Sequence, residues 1–273
     1  MKYFIENIIN YIELNLDENL TLEHLAKQVG YSPFHFSRIF KAQKRESIIA
    51  YIARLRLERS ATHVGMKKCS LLEIAQDAGY QTATGFLKAF KKRFGTTPTL
   101  YKDKSKEHFS SFKDVVIERP KLVVRDDSYI VYIRELGKYE ISSEKAWEKL
   151  IFKLDKLETS MPLSKLIGIC HDDPEITKDE NIRYEAGIIL TKKEVELLER
   201  KGFSSKVLLG GKYLKILHRG SFSDSDETYN RLYLWIKQHN YTLRDEPSIE
   251  EYINTPHEVS ASELLTYIYM PIV

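Results

Sequence analysis

The sequence predicts two domains: an all-α domain of about seven helices, made of two copies of a helix-turn-helix unit, followed by an α+β domain of two strand-helix-strand units around a pseudo-dyad. Three observations predict this. A set of apolar and glycine positions in the first hundred residues recurs after 49–50 residues. Beyond about residue 115, helical spacing gives way to β-branched and aromatic runs. Charge divides at the same place: residues 1–105 hold 17 Lys and Arg against 10 Asp and Glu, and residues 106–273 hold 25 against 29. The expected boundaries are 1–105, a polar linker over 106–115, and 116–273.

In chain order, Ile5, Ile8, Ile9 and Ile12 give an N-terminal helix one apolar stripe. Leu22, Leu25, Ala26, Gly30 and Tyr31 then return as Leu71, Ile74, Ala75, Gly79 and Tyr80. Phe36, Phe40, Lys41 and Tyr51 return as Phe86, Phe90, Lys91 and Tyr101. Each copy reads as a short helix, a glycine turn and a second helix, with a small alanine where the two helices cross. Ser32-Pro33 and Thr97-Pro98 are helix-start signals, and Ser70 with Glu73 fits a capping box. Between the copies, Ile48 to about Val64 reads as a connecting helix with Ile52 and Leu55 inward and Arg54, Arg56 and Arg59 outward. The second copy ends its helix with Phe94-Gly95 where the first has Lys44-Arg45; lacking the glycine, the first turn is expected to be looser or differently closed.

In the second half, strands are expected at Leu122–Val124, Tyr129–Ile133, Tyr184–Leu190, Tyr213–Leu217 and Tyr267–Ile272, and helices around Glu144–Leu157 and Asp224–Gln238. This half is also doubled. Tyr129 to Gly137, then Tyr139 and the helix through Trp147, parallels Tyr213 to Gly220, then Phe222 and the helix through Tyr229 and Trp235.

Several function classes find no support. Apolar runs are too short to cross a bilayer, and Met1-Lys2-Tyr3-Phe4 leads into a patterned helix rather than a signal peptide. Cys69 and Cys170 suit buried thiols in a reducing compartment, so a cytoplasmic protein without a membrane partner is expected. There is no nucleophile motif, no phosphate loop and no histidine or cysteine set at zinc spacing, so no enzyme, cofactor or metal is expected. Asp172-Asp173-Pro174-Glu175 reads as a solvated turn. A basic domain with a doubled helix-turn-helix points instead to double-stranded DNA.

Ile74-Ala75, Gly79-Tyr80, Phe86, Lys88, Phe90-Lys91, Phe94-Gly95, Thr97-Pro98 and Tyr101 resemble the signature of the AraC/XylS family of transcription regulators. The resemblance implies that the second helix of each copy enters the major groove, the two about one turn apart on one face of DNA. It assigns base contacts to Phe34, Ser37 and Arg38, with His35 nearer phosphate and Lys41 further along the helix. In the second copy it assigns Ala83, Thr84 and Lys88, with Leu87 and Lys91 nearby. Arg38 suits guanine O6 and N7, and Phe34 suits thymine methyls. The second helix has shorter side chains, so it is expected to position the protein while the first specifies sequence. The resemblance also implies activation, RNA polymerase as a partner, and binding as a monomer or a homodimer.

Arg183-Tyr184-Glu185, His218-Arg219-Gly220, Ser248-Ile249-Glu250-Glu251-Tyr252 and Thr266-Tyr267-Ile268-Tyr269-Met270-Pro271 resemble the GyrI-like effector-binding fold. That resemblance implies a cleft of aromatics and a carboxylate that takes a small lipophilic effector, flat cations foremost. Strand alternation puts Ser248, Glu250 and Tyr252 on one face and Ile249, Glu251 and Ile253 on the other. Glu250 fits the carboxylate and Glu251 is the fallback, with Tyr139, Trp147, Tyr184 and Tyr252 as the aromatics. Plain packing of a helix on the sheet is the other reading of Trp147 and Trp235. For the domain as a whole, a protein partner or a hydrolase using a Glu–Tyr pair are the competing readings.

Overall fold

The computed structural model describes residues 2–66, 70–110, 118–157 and 165–273 of a chain that forms two compact units, 1–106 and 107–273. Seven helices make the first among the described residues: α1 (Lys2–Leu14), α2 (Leu22–Gln28), α3 (Pro33–Lys44), α4 (Ile48–Met66), α5 (Leu71–Asp77), α6 (Ala83–Phe94) and α7 (Pro98–Ser110). The repeat is reproduced in its packing. Phe40 meets Tyr51 edge-on at 5.5 Å, and Phe90 meets Tyr101 edge-on at 5.6 Å. Phe36, Phe40, Phe86 and Phe90 are fully buried, so truncating any of them to alanine costs about 3–5 kcal/mol. Gly30 and Gly79 take positive φ, +68° and +81°, at the two turns. Ser70 Oγ accepts from the Glu73 N–H at 3.2 Å, while Glu73 Oε2 accepts from the Ser70 N–H at 2.6 Å.

Three features of this unit differ from expectation. The turn after α3 closes as the one after α6 does: Arg45 sits at φ +60° and donates its N–H to Lys41 O, as Gly95 at +71° does to Lys91 O, both at 2.9 Å. The orphan carbonyl at the helix end needs that donor, and the need outweighs a left-handed cost of about 1–2 kcal/mol. The α4 arginines do not face outward, because α4 has packing partners on both sides. Arg54 bridges Glu46 and Glu58, Arg93 of α6 reaches Glu58 at 2.6 Å, Arg56 donates to Leu16 O, and Arg59 pairs with Asp17. Lastly, α7 runs to Ser110, five residues into the expected linker. No glycine or proline stands between Pro98 and Pro120 to stop it, and polar composition alone does not break a helix. Residues 111–115 of that linker, and Cys69, lie outside the described residues.

The second unit contains β1 (Lys121–Arg125), β2 (Ser128–Leu136), α8 (Tyr139–Asp155), β3 (Leu166–Cys170), β4 (Arg183–Leu190), α9 (Lys192–Arg200), β5 (Ser204–Leu208), β6 (Gly211–Arg219), α10 (Ser225–Gln238), β7 (Ser248–Tyr252) and β8 (Leu265–Pro271). One antiparallel sheet has the order β1-β6-β8-β7-β3-β4-β2-β5, a mirror about the β7–β3 seam. The run β2-α8-β3-β4 repeats as β6-α10-β7-β8. β3 begins at 166 and β7 at 248, and the 3-10 turns Asp179–Asn181 and Ala261–Glu263 keep the same 82-residue shift. At the seam, Gly168 lies opposite Glu250.

Ala146 and Leu150 of α8, with Val195 and Leu198 of α9, pack on Val131, Tyr184, Ala186 and Ile188. The buried cluster on the opposite face comes from strands, with Ile130, Tyr132, Ile167, Ile169, Tyr213 and Ile249, so the sheet curls over itself. β3, β5 and α9 were not expected. Leu166–Cys170 is an apolar run without alternation, Ser204–Leu208 is too polar, and α9 is only nine residues long. The Asp172 turn is only partly solvated: Pro174 and Glu175 are exposed, but the first carboxylate is not. Asp172 is buried and takes the Arg183 backbone N–H, Nε and Nη2 at 2.7–2.9 Å. Among the described residues no helix is long and apolar enough to cross a membrane, and no group of side chains is arranged to hold a metal.

Candidate functional site

Two surfaces bring chemistry-bearing side chains together, one in each unit. In the first, α3 and α6 start on side-chain caps. Ser32 Oγ accepts from the His35 N–H at 3.3 Å, and Thr82 Oγ1 from the Gly85 N–H at 3.1 Å. Neither helix holds an acidic residue. Positions i, i+4 and i+7 share a helix face, and that spacing gives Phe34, Arg38 and Lys41 on α3 and Thr84, Lys88 and Lys91 on α6, fifty residues on. All six are exposed. Phe34 is 73% exposed, with the Arg38 guanidinium 5.8 Å from its ring centre. His35 is exposed with its ring 5.0 Å from that of Tyr31, while Ser37, Ala83 and Leu87 are half-buried beside the stripes. Lys92 and Arg45, which were not among the expected contact residues, are also exposed at the ends of these helices.

In the second unit, side chains of α8, α10, β4 and β7 gather around Glu250. Glu250 is 8% exposed; its Oε1 accepts from the Tyr229 hydroxyl at 3.1 Å and its Oε2 from the Tyr252 hydroxyl at 2.7 Å. The chain of hydrogen bonds continues. The Tyr252 and Tyr184 hydroxyls are 2.8 Å apart, and Trp147 Nε1 donates to the Tyr184 hydroxyl at 2.9 Å. Trp147 and Phe222 both pack edge-on to the Tyr252 ring, at 5.6 and 5.1 Å. Tyr139 meets the Tyr184 ring at 6.1 Å and donates to Asp172 O at 2.6 Å. Gly168 is needed beneath this cluster, since a Cβ there would strike the Tyr184 and Tyr252 hydroxyls.

The structure thus brings Tyr139, Trp147, Tyr184, Glu250 and Tyr252 together, and it leaves Glu251 out. Glu251 points to the opposite face, where it accepts from the Tyr269 hydroxyl at 2.9 Å and lies 3.8 Å from Arg125. Trp235 is also elsewhere, stacked on His239 at 3.7 Å. Two members, Tyr229 and Phe222, were seen in the repeat but not expected in the site. Phe222 is the repeat mate of Tyr139, so the doubling itself was a signal for it. Burial pushes the Tyr184, Tyr229 and Tyr252 hydroxyls well above their ordinary range, and the Glu250 charge adds to it. They are hydrogen-bond donors, not phenolates. Burial, and then Glu250, likewise raises the Cys170 thiol. The cleft therefore offers one carboxylate among neutral donors and aromatic faces, and no activated nucleophile. No Lys or Arg pairs with Glu250 among the described residues.

Comparisons with known proteins agree with this division. Residues 119–273 match the GyrI-like small molecule binding domain, and residues 25–104 match a helix-turn-helix domain. The chain is 36% identical over 101 residues to Transcriptional regulator Rob of Salmonella typhimurium, covering 37% of this chain and 35% of Rob. It is 33% identical over 104 residues to Probable transcription factor PqrA of Proteus vulgaris, covering 36% of this chain and 85% of PqrA. The chain thus spans about a third of Rob's length but most of PqrA's. Among solved structures, the EcmrR-DNA complex in EcmrR-RPo covers 92% of this chain and 93% of its own, with a TM-score of 0.50 at 13% identity, a likeness of fold. By its helix-turn-helix half and its GyrI-like small molecule binding half together, the chain belongs to the AraC/XylS family of transcription regulators.

Proposed function

We propose that this protein is a transcription activator that binds double-stranded DNA through α3 and α6 and senses a small lipophilic cation in the Glu250 cleft. The DNA half rests on the two equivalent, exposed and acid-free stripes, Phe34-Arg38-Lys41 and Thr84-Lys88-Lys91. Arg38 reads a base edge, Phe34 covers a thymine methyl, and His35, Lys41 and the α6 cations hold phosphates. Ser37, Ala83 and Leu87 fit against the groove at closer range. The relatives Rob and PqrA, described as a transcriptional regulator and a probable transcription factor, support this reading. RNA polymerase is the partner activation requires, and two recognition helices let one copy occupy a site without a second.

The sensing half rests on one observation: a buried carboxylate held, among the described residues, by neutral donors, the Tyr229 and Tyr252 hydroxyls and the Cys170 thiol. A buried anion without a cationic partner is poorly compensated. A flat cation entering among Tyr139, Trp147, Tyr184, Tyr252 and Phe222 gains the charge and the ring faces together, the latter worth up to about 2 kcal/mol when desolvated. The tyrosine hydroxyls hold Glu250 until such a ligand replaces them.

Isothermal titration with a tetraaryl phosphonium ion and a neutral analogue of the same shape tests this. Glu250→Gln keeps the volume and removes the charge, so phosphonium binding should fall at least tenfold, or about 1.4 kcal/mol. The neutral analogue should lose much less. Equal phosphonium binding by wild type and Glu250→Gln would end the cation-sensing account, and a protein partner would become the better reading.

A further inference from the structure

On the sheet face away from the helices, a second set of charges stands apart from the cleft. We propose that Arg125 and Arg244 form an anion-binding site that takes the phosphate or carboxylate group of a small organic anion. β1 and β6 pair with Arg125 opposite Gly211. Gly211 has a φ of +118° and no side chain, and the space a Cβ would take is filled by the Arg244 guanidinium, with Nη1 at 2.7 Å from that position. Cross-strand partners point to the same face, so the two guanidiniums are neighbours. Both lie against the Tyr213 ring, Arg125 at 5.8 Å and Arg244 at 4.9 Å, and Arg125 also lies 4.3 Å from the centre of Tyr269. Lys215 extends the array, its Nζ 3.4 Å from the centre of Tyr267.

The nearby acids do not satisfy these cations. Glu251 is 3.8 Å from Arg125 Nη1, beyond hydrogen-bond distance, and its Oε2 already takes the Tyr269 hydroxyl. Glu246 meets Arg244 Nη1 at 3.5 Å and leaves its own Oε2 without a partner, an open pair rather than a fork. Arg244 Nη1 also donates to Gly210 O at 2.8 Å. Among the described residues Arg125 Nη1, Arg244 Nε and Arg244 Nη2 are buried with no acceptor in good hydrogen-bond geometry, although the Tyr213 hydroxyl lies close to the Arg244 guanidinium. An unmade buried hydrogen bond costs about 1–3 kcal/mol, and more for a charged group. Three such N–H groups on two adjacent guanidiniums, in a part of the chain with more acids than bases, call for acceptors from outside. A guanidinium fork matches an oxyanion through two parallel N–H···O bonds. Burial holds the Lys215 ammonium below its ordinary range; Glu251 is the largest charge opposing that fall, and Arg125 and Lys121 add to it.

The site is independent of the cleft. Glu250 and Glu251 alternate on β7, so the acidic cleft and the cationic site occupy opposite faces of the same sheet. The test uses the full chain with inorganic phosphate and with citrate as probes. Titration should shift the Nε–H resonances of Arg125 and Arg244 in wild-type protein, assigned with Arg244→Gln, and should raise the melting temperature of the second unit. Arg125→Gln and Arg244→Gln should each weaken binding at least tenfold, and Arg125→Lys, which keeps the charge without the fork, should fall between. Phosphonium binding in Arg244→Gln should equal wild type, which separates failure here from failure of the Glu250 reading. Neither probe moving the two resonances at 10 mM (~10 mM being weak even for a metabolite site) would overturn the proposal. Movement of the resonances that persists unchanged with both arginines replaced would overturn it too. Preference for phosphate over citrate, or the reverse, identifies which oxyanion the site takes.

Discussion

Arg45→Gly should stabilise the first unit, and the size of the gain follows from its geometry. Arg45 closes α3 at φ +60°, the conformation Gly95 adopts at the matching place after α6. A side chain in that region costs about 1–2 kcal/mol. Glycine removes this cost but gives the unfolded chain more freedom, worth about 0.4–1 kcal/mol. Taken at the middle of both ranges, the difference leaves a net gain of about 0.8 kcal/mol. The Arg45 side chain is exposed, so nothing of comparable size is lost from packing. For a unit of about a hundred residues that gain is a rise in melting temperature of about 2–8 °C. Both tryptophans lie in the second unit, so fluorescence follows that unit while ellipticity at 222 nm is dominated by the helical first. Arg45→Asn, which tolerates the left-handed region, should gain less, and Gly95→Arg should lose about as much as Arg45→Gly gains. An unchanged or lower first transition in Arg45→Gly, with full ellipticity, would refute the reasoning.

Other outcomes follow from single contacts. Arg38→Ala should cost about 1–3 kcal/mol of DNA binding and relax preference at one position, whereas Lys88→Ala should weaken all sequences alike and lower the salt slope by about one; an unchanged ranking of sites selected from a random pool would contradict the Arg38 role. Glu185→Gln should destabilise the second unit by about 3–5 kcal/mol in urea, because it removes the buried charge that two half-buried cations share: Glu185 is fully buried and takes Arg134 Nε at 2.8 Å and Lys206 Nζ at 2.5 Å. Acid should weaken the same cluster. Burial holds His171 below its ordinary 6.5, so its contribution is full above pH 6.5 and is lost as pH falls below it. Burial pushes Glu185 up, but Lys206, Arg134 and His171 together pull it well below 4.5, so its contribution is lost in turn below about pH 4.5. Urea midpoints followed by tryptophan fluorescence from pH 8 to 4 check this, and a midpoint that rises on going from pH 7 to 5 contradicts it. His171→Asn should flatten the upper part of the profile.

The first unit was legible in the sequence because its instructions are local. Gly30, Gly79, the Ser70–Glu73 box and the Phe36-Phe40 spacing each act within one or two turns of chain. The outward reading of Arg54, Arg56 and Arg59 failed for the complementary reason: helical periodicity shows that α4 has an apolar face but not that its other faces are packed as well. Around Glu250, alternation correctly separated it from Glu251, yet the side that meets the aromatics is fixed by Trp147, on a helix far from β7 in sequence, and by Tyr229, on the helix just before it. The short β3 and β5 had no period to display. Arg244 shows the limit most clearly, since its place over Gly211 depends on a contact 33 residues away and on the absence of a side chain there.

The β7–β3 seam has a further consequence. Gly168 and Glu250 are central in their strands, face each other in register, and are mates under the 82-residue shift. Had both kept a carboxylate, the two would sit across a pair with Cα atoms about 5 Å apart, and one would hold a proton rather than a charge. Instead one half contributes a charge and the other a vacancy, which the Tyr184 and Tyr252 hydroxyls fill. A symmetric frame would present the same face to a guest turned through a half-circle. This one does not, so on the cation-sensing reading proposed above a guest would bind one way round, with its positive end at Glu250 and Tyr229 and its apolar end towards Trp147.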